Sequence, residues 1–202
     1  MRTNPYKRGF RCLGIAESFV KGRPKSALAG VVMRRDLVID GVALTEITVG
    51  GLDATEGVLS IIRSLGREDI NCVMLNGCII SWFNIVDLKA VHERTNLPLI
   101  CVTYEESPGI EGYIRRYFGD DAERLRLYHS LGPREVVVAR TGAKLFVRYY
   151  GLSKREVEAV INAFTTHGSV PEPLRVANLI ARAYMKRLLL ALPPPPTSTI
   201  NT

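Results

Sequence analysis

The 202-residue chain is sparing with the ligands of zinc, holding only four cysteines and three histidines. No two of Cys12, Cys72, Cys78 and Cys101 form a C-x-x-C pair, and no histidine stands at zinc spacing from them, which excludes the common structural zinc sites. Each thiol lies in an apolar run, so the expected state is a buried, reduced thiol in a cytoplasmic protein. His92, His129 and His167 are far apart in sequence, with no nucleophile–base pattern around them. The chain has no G-x-S-x-G, no Walker loop and no G-x-G-x-x-G, which argues against the common hydrolase, NTPase and dinucleotide folds. Long apolar runs are missing too. The best candidate, residues 176–192, is broken by Arg182, Lys186 and Arg187 and falls short of the roughly 18 residues a membrane span needs. The opening M-R-T-N-P-Y-K-R-G-F has no apolar segment of the kind a secretory signal carries. The expectation is a cytoplasmic protein with no membrane partner.

What is present is ordinary in amount and uneven in arrangement. A hydrophobic fraction of 47% and a charged fraction of 23% describe a globular chain, long enough to bury a core as one domain. The net charge is +7. Residues 1–40 hold 9 basic and 3 acidic side chains, residues 41–131 hold 8 and 13, and residues 132–202 hold 10 and 4. Two basic ends therefore flank an acidic middle. That pattern suits a polyanionic partner held by the ends, and it equally suits a soluble basic protein.

The pattern divides the chain into a basic N-terminal arm over residues 1–10, a single folded domain over 11–192 and a Pro-rich, disordered tail over 193–202. Within the domain, residues 11–16, 28–33 and 37–44 read as strands, the second and third close enough to pair antiparallel. Residues 53–65 have helical periodicity, 72–75 read as a buried strand, 85–95 as a helix, 99–103 as a strand, and 110–118 and 120–131 as helices. A hairpin over 134–139 and 144–149 follows, then helices over 153–164 and 172–192. Early antiparallel strands followed by strand–helix alternation predict an α/β sandwich with a mixed sheet and helices on both faces. Sites in such folds form at the carboxyl ends of central strands.

Several residues there can carry chemistry. Glu17 ends the first strand and can hold a hard cation, or be a solvated strand-end acid. Gly50 and Gly51 permit close backbone approach and can cradle a phosphate. Asp53 opens a helix and, with Glu56, fits an acidic capping box, a sufficient structural reason for it. Gly168-Ser169-Val170-Pro171-Glu172-Pro173 is a second rigid helix entry. Ser169 and Glu172 have capping spacing, and Glu172 can instead face a metal with Arg175 holding a phosphate or the carboxylate itself. His167 is the one histidine beside a candidate loop. Glu105 and Glu106 follow a buried strand in a turn, where solvation and metal ligation are both open. Trp82 and Phe83 can pack in the core or, exposed, stack on a base. A third use of the Gly50-Gly51 loop is to hold the phosphate of a small nucleotide. The Arg-rich segment over residues 175–187 suits either a homodimer contact or a nucleic-acid contact.

Four motifs, L-G-I-A-E-S-F (13–19), V-G-G-L-D-A-T-E (49–56), M-L-N-G-C-I-I-S-W-F-N-I-V-D (74–87) and G-S-V-P-E-P-L-R-V-A-N-L-I-A (168–181), resemble an archaeal family of small proteins called endonuclease dU. The resemblance runs from about Arg11 to Tyr184, and its last motif is the most specific. The family is similar to endonuclease V, which implies a ribonuclease-H-like fold, Mg²⁺ or Mn²⁺ held by carboxylates, and hydrolysis of a phosphodiester near a deaminated base such as deoxyuridine or inosine, in DNA or RNA. The family pattern has two Asp after G-I, where this chain has Ala16 and Glu17. It has L-D-G where this chain has Leu75-Asn76-Gly77, and His where this chain has Asn178. The Asp positions align with metal ligands of endonuclease V. On this resemblance Glu17, Asp53 and Glu172 are the acids left to hold a metal, with Glu105 as a further candidate. Asn76 offers a neutral oxygen to metal or water, and Arg175, His167, Gly50 and Gly51 serve the phosphate. The other expectation is a protein that keeps the fold and binds nucleic acid without the chemistry.

Overall fold

The computed structural model describes residues 5–191. The chain opens with an antiparallel trio, β1 (Arg11–Ser18), β2 (Lys25–Arg34) and β3 (Ile39–Thr48). Then come α1 (Ala54–Leu65), β4 (Cys72–Asn76), a small hairpin of β5 (Ile79–Ile80) and β6 (Asn84–Ile85), α2 (Leu88–Thr95) and β7 (Leu99–Thr103). The second half holds α3 (Glu111–Phe118), α4 (Ala122–Ser130), β8 (Glu135–Val138), β9 (Lys144–Tyr150), α5 (Lys154–Phe164) and α6 (Glu172–Ala191). Seven strands form one mixed sheet in the order β3-β2-β1-β4-β7-β9-β8. Strands β1, β4 and β7 run parallel at its centre and the others are antiparallel to their neighbours. This is the mixed-sheet α/β sandwich that the sequence pattern predicts.

Strand periodicity of two sorts the side chains into two cores. Leu13 and Ile15 of β1 and Val73 and Leu75 of β4 join Ala54, Val58 and Ile61 of α1, Val91 of α2 and Ile114 of α3 on one face. Cys12 and Met74 face the other way, onto Val157, Val160 and Phe164 of α5 and Leu174 of α6. Helices thus cover both faces, α1 to α4 on the first and α5 and α6 on the second. Helix α6 comes very close to β1. A Cβ on Gly14 would stand 2.5 Å from the backbone carbon of Pro173, so only glycine admits this helix entry. Further along, Ala177 packs with Ala16 and Val31 in a small buried cluster.

Several local readings hold. Ser153 and Glu156 form a reciprocal capping box on α5. The four cysteines are free and buried. Among the described residues no helix is long and apolar enough to cross a membrane. Others change. The helix expected from residue 85 begins at Leu88, where the Asp87 side chain accepts the Ala90 N–H at 3.0 Å. The residues before it form the β5–β6 hairpin instead, around Ser81, Trp82 and Phe83 with φ of 44°, 62° and 64°. No glycine marks that turn, so turn chemistry does not announce it. Of the expected basic arm, Pro5 and Phe10 are buried, Phe10 at 3% exposure with its ring 6.1 Å from that of Phe164, while residues 6–9 between them are exposed. Residues 1–4 and the expected tail over 193–202 lie outside the described residues.

Candidate functional site

The carboxyl ends of β1 and β4 sit side by side. The pairing runs Cys12 to Cys72 through Ile15 to Leu75, and Ala16 and Asn76 are the next residue on each strand. Alternation turns both toward the face that carries α5 and α6, Ala16 after Cys12 and Gly14, Asn76 after Cys72 and Met74. Ala16 is 2% exposed and packs with Ala177, and Asn178 is the next residue along α6. Topology therefore gathers positions 16, 76 and 178 to one end of one face, filled by a methyl group and two neutral amides.

Glu17 points to the other face. One residue along a strand reverses the side-chain direction, so Glu17 does not replace a carboxylate at position 16. Its carboxylate meets the Ser26 hydroxyl at 3.3 Å and the Ser81 N–H at 3.4 Å, and the Ser81 hydroxyl donates to Ser26 at 2.7 Å. Burial pushes its pKa up, against the pull of the bonds from Ser81 and Ser26.

Asp53 is held in a different way from the capping box expected of it. Its side chain makes no cap bond to α1. It turns back to Thr48, accepting the backbone N–H on both oxygens at 3.0 Å and the hydroxyl at 2.8 Å, and it accepts the Asn84 amide at 2.6 Å. Asn84 completes the lock with a bond to the Thr48 carbonyl at 2.9 Å and by accepting the Ala54 N–H at 2.9 Å. Burial alone would raise the Asp53 pKa, but the donors from Asn84 and Thr48 outweigh it and hold the carboxyl below its ordinary range. Glu56, the other member of the expected box, pairs with Arg94 and Arg63.

Glu172 lies across the sheet from Glu17 and Asp53, at the start of α6. It is buried, accepts from the Arg175 guanidinium at 2.9 Å and from the Thr166 hydroxyl at 3.2 Å, and its pKa is lowered chiefly by Arg175. Thr166 also meets His167 at 3.3 Å, and it lines a cavity with Arg35 and Arg140. The Arg35 N–H bonds the Phe10 carbonyl at 2.8 Å, which places that cavity toward the amino end of β1, away from Ala16 and Asn76. The expected capping pair of Ser169 and Glu172 gives way to the pair of Glu172 and Arg175. Glu105 and Glu106 are exposed in their turn.

The three acids singled out by sequence are thus divided by the sheet. Among the described residues no three His, Cys, Asp or Glu side chains stand together as ligands for an ion. A hard divalent cation is held by several oxygens, with charged carboxylates among them. The donors at positions 16, 76 and 178 do not fit the Mg²⁺ that the family resemblance implies. The Gly50-Gly51 loop departs from a phosphate cradle for a similar reason. The Gly50 N–H donates to the Ser81 carbonyl at 2.7 Å and the Gly51 N–H to the Thr48 carbonyl at 3.1 Å, so neither faces outward.

Arg124, which pattern reading passed over, organises this end of the molecule. It is 3% exposed, stands 4.0 Å from the Phe118 ring centre and pairs with Asp121 at 3.2 Å. Its guanidinium donates to the carbonyls of Gly50 and Gly51, both at 2.9 Å, and to that of Phe83. One planar cation thereby ties the glycine loop to the left-handed turn. Three consecutive non-glycine residues in that conformation cost about 1–3 kcal/mol each and persist where the surroundings over-determine them. The one sequence signal was a charged residue on the apolar side of α4, an arginine four residues before Tyr128.

The model of the endonuclease dU family matches residues 8–185. A UPF0215 protein of Pyrobaculum aerophilum is 36% identical over 180 residues, spanning 87% of this chain and 96% of that protein. A crystal structure of an Archaeoglobus fulgidus protein of unknown function is similar with a TM-score of 0.75 at 31% identity, over 87% of this chain and 98% of that one. Endonuclease V of Ciona intestinalis, solved with a 24-mer DNA containing an inosine followed by a ribo-adenosine, shares the fold with a TM-score of 0.60 at 13% identity, over 89% and 87% of the two chains.

Proposed function

The chain belongs to the endonuclease dU family, and from that premise we propose that it binds nucleic acid on an endonuclease V-like scaffold without carrying out metal-dependent phosphodiester hydrolysis at a useful rate. The observation that carries this reading is the pair Ala16 and Asn76. They follow the last paired residues of two neighbouring parallel strands on one face, at the positions where the family pattern has aspartates. A divalent ion there would meet no charged ligand from either strand, and the methyl of Ala16 is already packed against α6.

Binding does not need those carboxylates. It needs cations that displace counterions from phosphates, and the basic ends of the chain supply them. Lys21 on the connection leaving β1 and Lys25 at the start of β2 stand beside that strand end. The nucleic acid would carry deaminated bases. The family's name points to deoxyuridine, and the Ciona enzyme was crystallised on inosine.

The test pairs two measurements. Fluorescence anisotropy with uracil- or inosine-containing oligonucleotides in EDTA should show binding that weakens steeply as salt rises. The same substrates with Mg²⁺ or Mn²⁺ should remain intact, and the Ala16→Asp, Asn76→Asp double variant should gain ion-dependent nicking. Efficient nicking by the natural chain, abolished by Glu17→Ala, would overturn this reading and establish an endonuclease that depends on Glu17.

A further inference from the structure

Resting on the nucleic-acid reading, we infer that an unpaired nucleobase stacks on an aromatic platform formed by Tyr113 and Tyr117 of α3 with Trp82 and Phe83 of the β5–β6 turn, so that single-stranded or locally opened nucleic acid is bound in preference to closed duplex. The rings form one continuous surface. Phe83 and Tyr113 lie nearly parallel, 23° apart with centres 6.5 Å apart, and Trp82 and Tyr117 stand 5.0 Å apart. Phe83 also touches Tyr117 and Phe118 at 6.0 and 5.9 Å. A core would hide such a cluster, yet Tyr113 is 53% exposed and Tyr117 46%.

The backbone sets Trp82 and Phe83 half-buried beneath the tyrosines, Phe83 packed against the core as its apolar character predicts, in a conformation against its own preference. Ser81, Trp82 and Phe83 are all left-handed. They are pinned from behind, Ser81 by Ser26, Glu17 and the Gly50 N–H, and Phe83 by Arg124. A strained turn fixed on its inner side, whose half-buried rings support the exposed tyrosines of α3, is a preorganised surface.

Cations complete it. The Lys21 ammonium lies 4.7 Å from the Trp82 ring centre and the Arg116 guanidinium 5.7 Å from that of Tyr117. Each cation on a ring face also offers a contact to the phosphate next to a stacked base. Beside the platform a cavity of about 400 Å³ is lined by Tyr113, Arg116, Tyr128, Glu111 and Pro108, within the range of about 300–1,000 Å³ common for small-ligand sites. Lys21 follows β1 and Ser81 touches Glu17, so a strand crossing the platform passes the same sheet end as Ala16 and Asn76. Duplex bases are stacked on one another and present no free π-face, whereas every unpaired base presents one.

The chain's single tryptophan is Trp82, so its emission reports on the platform alone. Titration with a 12-mer single strand should quench that emission in step with the rise in oligonucleotide anisotropy, and the matched duplex should bind more weakly. Tyr113→Ala with Tyr117→Ala should weaken binding about tenfold per ring with the circular dichroism unchanged, while the two Phe variants should bind like the natural chain. Binding with unchanged Trp82 emission and undiminished by the Ala variants would overturn the platform and leave the nucleic-acid reading standing. Equal affinity for duplex would overturn the strand preference. Absence of any anisotropy change, with every oligonucleotide, would overturn the nucleic-acid reading and the platform with it.

Discussion

Ala16 of β1 and Ala177 of α6 pack together, with Val31, in a buried cluster that leaves Ala16 only 2% exposed. The small side chains let the helix lie close on the strand, and a carboxylate at position 16 would enter that contact.

Ala16→Asp alone should therefore destabilise the protein by about 2–4 kcal/mol in EDTA, from an unpaired charge placed in an apolar contact. Paired with Asn76→Asp, the loss should be partly recovered by Mn²⁺, which would neutralise both acids. Thermal melting with and without the ion measures both effects.

Replacing Arg124 by Met or by Lys should each cost about 3 kcal/mol in urea unfolding. The guanidinium bonds the carbonyls of Gly50, Gly51 and Phe83 from one plane, and an ammonium does not reproduce that fork. Trp82 emission should shift in both variants, because the turn that carries it loses its anchor.

Glu17 gives a pH dependence of known sign. Burial raises its carboxyl pKa in the folded protein. Its contribution to stability is therefore fully present below the unfolded carboxylate pKa and is lost as pH rises through the folded one. Glu17→Gln should melt higher than the natural chain at neutral pH, with the difference closing in acid.

Asp53 has the opposite sign. The donors from Asn84 and Thr48 hold its pKa below the ordinary value despite burial. Its stabilisation is present above the unfolded carboxylate pKa and lost as pH falls through the folded one. Asp53→Ala should cost about 2–4 kcal/mol at neutral pH, by denaturant titration, and less in acid.

Ser153→Ala, remote from the candidate site, should cost about 1 kcal/mol through loss of the α5 capping box and leave oligonucleotide binding unchanged.

Most of the architecture was legible because it rests on local periodicity. The strands around Leu13 and Ile15, at residues 72–75 and at Leu99–Thr103 announce themselves as apolar runs, and α1 and α5 as stripes. The β5–β6 hairpin was not legible, because Ser81, Trp82 and Phe83 take a conformation that turn chemistry assigns to glycine. Asp53 looked like a helix cap and serves as a latch on Thr48, since the partner that redirects it, Asn84, lies 31 residues away.

The amino-acid sequence by itself determined the α/β alternation, the buried free thiols and the family motifs, all of which depend on residues near one another in the chain. Only the tertiary structure decided which acids share a surface. Adjacent side chains on a strand leave opposite faces, so Glu17 and Asp53 were parted from Glu172 by the thickness of the sheet, while Ala16 and Asn76 were brought together on the other side.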